Sequence, residues 1–310
     1  MDKTAGSGVP LRSNSGPQEE VKLLNWIHAA SDPLELITIV RQIAADNAVR
    51  LPPVFLSRYV NESLVAAAYF RVLPGGVATL GGVRSLAGFE ATASQLVSEL
   101  ARQLDANGIC QIQSIVRNDD QTTHRIVAGA GFGQLTSVQQ QWRETNYDLA
   151  PASLTWRPAN RYTEEQLAAV LEQTFVDTKD CPELNGIRRP IDALEGFLEG
   201  KPLSTIRHWY VLREQDNDIG CLFLCPHSNE VAELVYMGLH PNMRGRGLGR
   251  ILLTDALRLS RDLGARLLIA GVDDANSPAL RCYAQLGFQF HQRLGVYMPS
   301  GLLQRLRHAA

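Results

Sequence analysis

The sequence contains no uninterrupted apolar run of transmembrane length, so it raises no expectation of a membrane partner. It has no excess of basic residues either. A formal net charge of -2 removes the electrostatic case for nucleic acid. Cysteine is sparse and odd in number, five scattered residues. Cys221 and Cys225 in "GCLFLCPH" are four apart with His227 close by, but on a strand an i, i+4 pair lies about 13 Å apart. That spacing is too wide for one zinc ion, and no second Cys/His pair of finger spacing follows, so no metal is expected. The first residues, "MDKTAGSGVPLRSNSGPQEE", have no apolar core of the secretory kind. Residues 1–20 therefore read as a disordered lead-in, and the cysteines as core thiols of a reducing, cytoplasmic compartment.

What is present describes an ordinary globular protein, 45% hydrophobic and 20% charged. A length of 310 residues favours two domains over one. The second half reads cleanly. "SLTWRPA" predicts a strand, and "TEEQLAAVLEQTFVDT" a helix with Thr163 as N-cap and Gln166 completing a capping box. "STIRHWYVLRE", "IGCLFLCP" and "EVAELVYMGLHP" predict three successive strands. "GLGRILLTDALRLSRDLG" carries Leu248, Ile251, Leu252, Ala256 and Leu259 at helical spacing, with Gly264 to end it. "RLLIAGV" reads as a buried strand, "SPALRCYAQLG" as a helix, and "FQFH" and "LGVYMP" as two closing strands.

The first half repeats this order. An offset of 156 pairs Gly82 with Gly238, Gly108 with Gly264, Arg125 with Arg281, and Gly131-Phe132 with Gly287-Phe288. Further upstream, the helix "PLELITIVRQIAAD" pairs with "TEEQLAAVLEQTFVD" at a smaller offset, which leaves about 26 residues inserted in the second half. An internal repeat is the simplest reading. It divides the chain into 21–150 and 151–310, each an α/β unit with a mixed, mostly antiparallel sheet flanked by helices.

The chemistry concentrates in "LHPNMRGRGLGRILL". A glycine-rich turn that opens a helix is an anion site, because its free N–H groups and the helix dipole favour negative charge. A nucleotide P-loop would need Lys-Ser/Thr after the last glycine, and here Arg250-Ile251 follows. A dinucleotide fold would want G-x-G-x-x-G after repeated βαβ units, and here the spacing is G-x-G-x-G after three consecutive strands.

"RGRGLG" resembles the pyrophosphate-binding pattern of the GNAT acetyltransferase family, Gln/Arg-x-x-Gly-x-Gly/Ala, with Arg244, Gly247 and Gly249 in place. "NSPALRCYAQLGF" resembles the family's later motif, with Asn276, Tyr283 and Gly287-Phe288 at matching spacing. The resemblance is strongest over 205–298. It implies acetyl-CoA as co-substrate, with the N–H groups of Gly245, Arg246, Gly247, Leu248, Gly249 and Arg250 on its pyrophosphate. Met237, Gly238 and Leu239 would pair with the pantetheine arm. It also implies an amine acceptor, on a small molecule or a peptide. Glu233, eleven residues before Arg244, resembles the base glutamate of the histone acetyltransferase branch. Tyr283 stands where many members place a general acid. An alkylammonium with a pKa of about 10 offers little free amine at neutral pH, so such a base is useful.

At the same offset the first half holds "GFEATA" (88–93) opposite the glycine turn, Val127 opposite Tyr283, Asp120 opposite Asn276 and Val77 opposite Glu233. It therefore reads as a degenerate copy. The organisation is similar to that of the tandem GNAT proteins of the mycothiol synthase type, whose working half is the C-terminal one. No residue here points to a mycothiol precursor. The inserted segment carries Asp180, Glu183, Asn185, Arg188 and Arg189, acidic groups suited to a cationic amine and arginines suited to a carboxylate. Two readings stay open: an acetyl-CoA-dependent N-acyltransferase, or a CoA-binding sensor or scaffold that has lost catalysis.

Overall fold

A computed structural model of the chain describes residues 17–29, 52–146, 154–184, 189–199, 201–227 and 230–309. The expected helix over 33–46, and Asn185 and Arg188 of the insert, lie outside these residues. Two compact units are drawn, one from the chain up to Leu135 with Val296–Ala309, the other from Thr136–Gly295. The boundaries, at 135/136 and 295/296, fall inside strands and not at a linear midpoint.

The first unit starts with helix α1 (Pro17–Ile27), which begins inside the segment read as a disordered lead-in. Its Leu23, Leu24 and Ile27 bury against Phe55, Ala67 and Tyr69, which is why the helix holds. Strands β1 (Val54–Val60), β2 (Ser63–Leu73) and β3 (Val77–Ser85) form an antiparallel meander. Helix α2 (Glu90–Ala106) then leads to β4 (Gln111–Arg117), which pairs with β3 in parallel. Helix α3 (Gln121–Gly129) follows, capped by Asp120, whose side chain accepts from Thr123 N. Strand β5 (Phe132–Glu144) starts here and continues into the second unit from Thr136.

In the second unit, β6 (Thr155–Pro158) precedes α4 (Glu164–Phe175). The expected capping box is present: Gln166 N donates to Thr163 Oγ1, and Gln166 Oε1 accepts from Thr163 N. Such a box is worth about 1 kcal/mol and fixes where the helix begins. Helix α5 (Pro190–Leu198) packs beside α4 through Leu194 and Leu198. Strands β7 (Trp209–Glu214), β8 (Asn217–Pro226) and β9 (Val231–Leu239) are antiparallel neighbours. Residues Leu203–Thr205 form a 3-10 turn, so β7 starts later than the sequence pattern implied.

Helix α6 (Leu248–Asp262) lies against the sheet with Leu252, Leu253, Ala256 and Leu257 fully covered. Each such leucine contributes roughly 1.5–3 kcal/mol of burial. Strand β10 (Leu267–Asp273), helix α7 (Ser277–Gln285) and strand β11 (Gln289–Pro299), the last as far as Gly295, complete the unit. The two closing strands expected from the sequence are one, because Gln292 and Arg293 stay extended between them. Helix α8 (Ser300–Ala309), which the periodicity reading did not anticipate, belongs to the first unit. No helix among the described residues is long and apolar enough to cross a membrane.

Candidate active site

The site rests on one departure from regular sheet pairing. β9 and β10 run parallel and pair only from Val231/Leu267 to Leu234/Ala270. Beyond that point β9 continues to Leu239 beside β8, and β10 continues to Asp273 beside β5. The two strands therefore part, and the gap opens toward their C-terminal ends. A bulge at Val235, where the register with β8 jumps from Leu234 to Tyr236, sits at the point of separation. Met237, Gly238 and Leu239 line the β9 side with main-chain groups unpaired toward β10. Gly238 is needed for packing: a Cβ there would stand 2.7 Å from Thr174 Cβ of α4.

At the end of β9 a short 3-10 turn (Pro241–Met243) leads to Arg244 and the glycines. Gly245 and Gly247 have φ of 73° and 78°, a region that L side chains rarely adopt. A Cβ on either would meet nothing within 4 Å, so their faces open outward. Arg250 N closes on Gly247 O, whereas the N–H groups of Gly245 to Gly249 find no carbonyl among the described residues. These are the orphan donors of a helix N-terminus arranged as an anion cradle. Arg250 is exposed beside them and has no ion pair among the described residues. Arg246 leans away, toward Met243 Sδ and Glu214.

Arg244 is used differently from the expectation. Its Nε, Nη1 and Nη2 donate to the carbonyl oxygens of Leu239, Asp177 and Thr174 at 3.0, 3.1 and 2.9 Å. A guanidinium committed to three carbonyls braces the turn instead of reaching for phosphate.

Tyr283 on α7 projects into the core below the gap, among Leu234, Leu253, Ala270 and Phe288, and is 4% exposed. Burial raises its pKa, and Asp180 raises it further, so the phenol stays protonated. The hydroxyl makes no hydrogen bond among the described residues. Asn276 caps α7, its side chain accepting from Ala279 N, and it also donates to Asp180. Cys282 lies against Gly249, with its thiol pKa raised by burial, which disfavours a thiolate there.

Glu233 stands where β9 and β10 are still paired, opposite Ile269, on the face away from Ala232 and Leu234. His227 Nε2 lies 2.6 Å from its Oε2. That bond raises the His227 pKa above the ordinary histidine range, against a smaller opposing effect of burial. His227 was visible in the sequence only as a neighbour of cysteines; its pairing with Glu233 needs the hairpin turn between β8 and β9. The carboxylate bearing on Tyr283 is Asp180, on the segment after α4.

The first unit carries the same frame without the site. β3 and β4 pair in parallel only from Val77/Gln111 to Thr79/Gln113, and β3 bulges at Gly81. Matching the bulges gives an offset of 154 along these strands, against 156 from Gly108/Gly264 onward. The counterpart of Glu233 is thus Thr79 rather than Val77, and the two extra residues of the second unit fall in the glycine turn. Thr79 Oγ1 accepts from Gln113, which leaves no carboxylate.

A family model described as the acetyltransferase (GNAT) family matches residues 172–288. A mycothiol acetyltransferase of Thermobifida fusca is 39% identical over 229 residues, 66% of this chain and 68% of that protein. A mycothiol acetyltransferase of Thermomonospora curvata is 38% identical over 78 residues, so the matched stretch spans only 26% of that relative. Among solved structures, a tandem GNAT protein from the clavulanic acid biosynthesis pathway shares the fold, with a TM-score of 0.57 at 16% identity over 91% of this chain and 95% of that one.

Proposed function

The chain belongs to the GNAT acetyltransferase family, and from that premise we propose that its second unit transfers the acetyl group of acetyl-CoA to a primary amine of a small molecule or peptide. The observation that carries this reading is the parting of β9 from β10 beside the buried Tyr283, whose hydroxyl has no hydrogen bond among the described residues, with the open glycine turn at one end of the gap. In this reading the N–H groups of Gly245 to Gly249 take the pyrophosphate, helped by Arg250. The free main-chain groups of Met237 to Leu239 take the pantetheine amides. Arg244 contributes by holding the turn in shape.

The acceptor arrives as an ammonium and must lose a proton. Glu233, directly or through water, accepts it, its carboxylate oriented by the bond to His227 Nε2. The amine lone pair then attacks the thioester carbonyl carbon. As the C–N bond forms and the C–S bond breaks, the Tyr283 hydroxyl gives its proton to the departing sulfur. A phenol whose pKa is raised by burial keeps that proton until the thiolate develops.

The test is release of free thiol from acetyl-CoA with a panel of primary amines, mycothiol-type precursors included, by wild type and Tyr283→Phe. The variant keeps the packing against Phe288 and loses only the hydroxyl. kcat is expected to fall about ten- to a thousandfold with acetyl-CoA affinity retained. An unchanged kcat would remove Tyr283 from the chemistry.

A further inference from the structure

An open cavity of about 380 Å³ lies in the second unit, where the first half of α4 passes the start of β8 and the end of β9. Its size is at the low end of ligand pockets, which run to about 300–1,000 Å³. None of its lining residues belongs to the gap, the glycine turn or the packing around Tyr283. His240, in its wall, follows the last residue of β9, whereas Glu233 stands about 20 Å back along that strand.

Two side chains of opposite charge share the wall, and each keeps bonding capacity in reserve. Arg157 of β6 lays its guanidinium over the Tyr162 ring, 4.9 Å from the centroid. That guanidinium has no hydrogen bond and no ion pair among the described residues. Stacking of this kind fixes the plane of the group and leaves its edge donors available. Asp218 of β8 accepts at Oδ1 from the Tyr162 hydroxyl at 2.8 Å and from Arg213 Nε at 3.1 Å. Its Oδ2 accepts from nothing among the described residues. Arg213 answers the charge of Asp218 from the hairpin side, so Arg157 carries the unanswered charge of the two.

The frame that holds them is built into the strands. Leu212 faces Gly220 and Arg213 faces Asp218, so Ile219 is an extra residue in β8. A bulge of this kind re-aims the side chains beside it. Tyr162 then ties the two charges together, as platform for one and donor to the other. Burial, and then the bond to Asp218, push its hydroxyl up to about 12, so it remains a donor. A further observation is independent of the charges. His240 Nε2 is covered and has no hydrogen-bond partner among the described residues. Such an atom in the wall of a polar cavity calls for a partner supplied from the cavity.

We propose that this cavity is a second ligand site that takes a free α-amino acid, its carboxylate on Arg157, its ammonium on Asp218 Oδ2 and a small aliphatic side chain against Ala169 and Val170. A simple anion would leave Asp218 Oδ2 unused, and a simple amine would meet the charge of Arg157. A zwitterion of this size answers both, and either of its poles offers His240 the partner it lacks. The assignment does not rest on the acetyltransferase reading.

Calorimetric titration of the full chain tests it, with glycine, alanine, valine and leucine as probes. Isobutyrate and isobutylamine serve as the same size of molecule with one pole each. Wild type is compared with Arg157→Met, which keeps an exposed apolar stem, and with Asp218→Asn, which keeps an oxygen for Tyr162 and Arg213. One amino acid should bind at one site per chain. Its Kd should rise roughly tenfold or more in each variant, the scale of a lost charge-assisted hydrogen bond. The single-pole probes should bind wild type at least about tenfold more weakly than the amino acid of matching size. The probe series on wild type decides the point even if Asp218→Asn folds poorly. No binding of any amino acid to wild type at millimolar concentration overturns the proposal. So does isobutyrate binding as well as valine, which would make this an anion site only. Amino-acid binding that is unchanged in Arg157→Met overturns it too, because the ligand then sits elsewhere on the chain.

Discussion

The crossover from β3 to α2 and the crossover from β9 to α6 start from the same geometry and end differently. Both leave a parallel pair that separates after three or four residues, and both bulge at the parting. Both are followed by a strand and a helix capped by a short polar side chain, Asp120 in one and Asn276 in the other. Thereafter only the second gains two residues and a pair of outward-facing glycines at 245 and 247. The first keeps one such glycine, Gly88, and sets Glu90 in the opening turn of its helix, where an incoming phosphate would meet a carboxylate. The splayed sheet is therefore a property of the fold that both crossovers share. The site is a small set of side chains and one longer turn added to it.

The largest effect should come from breaking that difference directly. Gly247→Glu forces a side chain into a φ of 78° and a negative charge into the cradle. Acetyl-CoA affinity in calorimetry should drop by about a hundredfold or more, whereas Gly88→Glu should leave it within about twofold. Equal losses would mean that both crossovers bind.

A smaller effect sharpens the contrast between Glu233 and Thr79. Glu233→Gln should lower kcat/KM at neutral pH and recover partly toward high pH, because more acceptor then arrives already deprotonated. A pH–rate profile from about pH 6 to 9.5 reads this. Parallel profiles of equal height would take the base role away from Glu233.

The smallest effect concerns stability at the segment after α4, where Asp180 accepts from Asp273 N and for which no counterpart in the first unit lies among the described residues. Asp180 has a raised pKa, so the folded state holds its proton more tightly than the unfolded chain does. Its contribution to stability is present below the unfolded aspartate pKa of about 4 and is lost as pH rises through the folded value. Asp180→Asn should therefore melt at a higher temperature than wild type at neutral pH, and the gap should close on acidification. A lower melting temperature at neutral pH would show that the charge itself holds that segment.

Much of this was legible in the sequence because it depends on local pattern. The capping box at Thr163 and Gln166, the turn glycines, and Asn276 ahead of Tyr283 each announce themselves within a few residues. What was not legible depends on distant partners. Arg244 looks like a phosphate ligand in a string, and only the return of α4 past the turn shows three carbonyls waiting for it. The pairing of Asp180 with Asp273 joins residues 93 apart, and the His227–Glu233 pair depends on how one hairpin closes. The two-residue slip between the repeats was hidden because the coincidence of Gly82 with Gly238 carries the later offset of 156 back into strands whose bulges match at 154, and only strand register exposes it. Helix α8 was missed because closing strands seemed to complete the order before the chain ended.

The central claim is that one crossover of the two is built for acetyl-CoA. Calorimetric titration of the full wild-type chain with acetyl-CoA tests it most directly. The account predicts a single site per chain, abolished by Gly247→Glu and untouched by Gly88→Glu. Two sites per chain, or one that survives Gly247→Glu and disappears with Gly88→Glu, would contradict it.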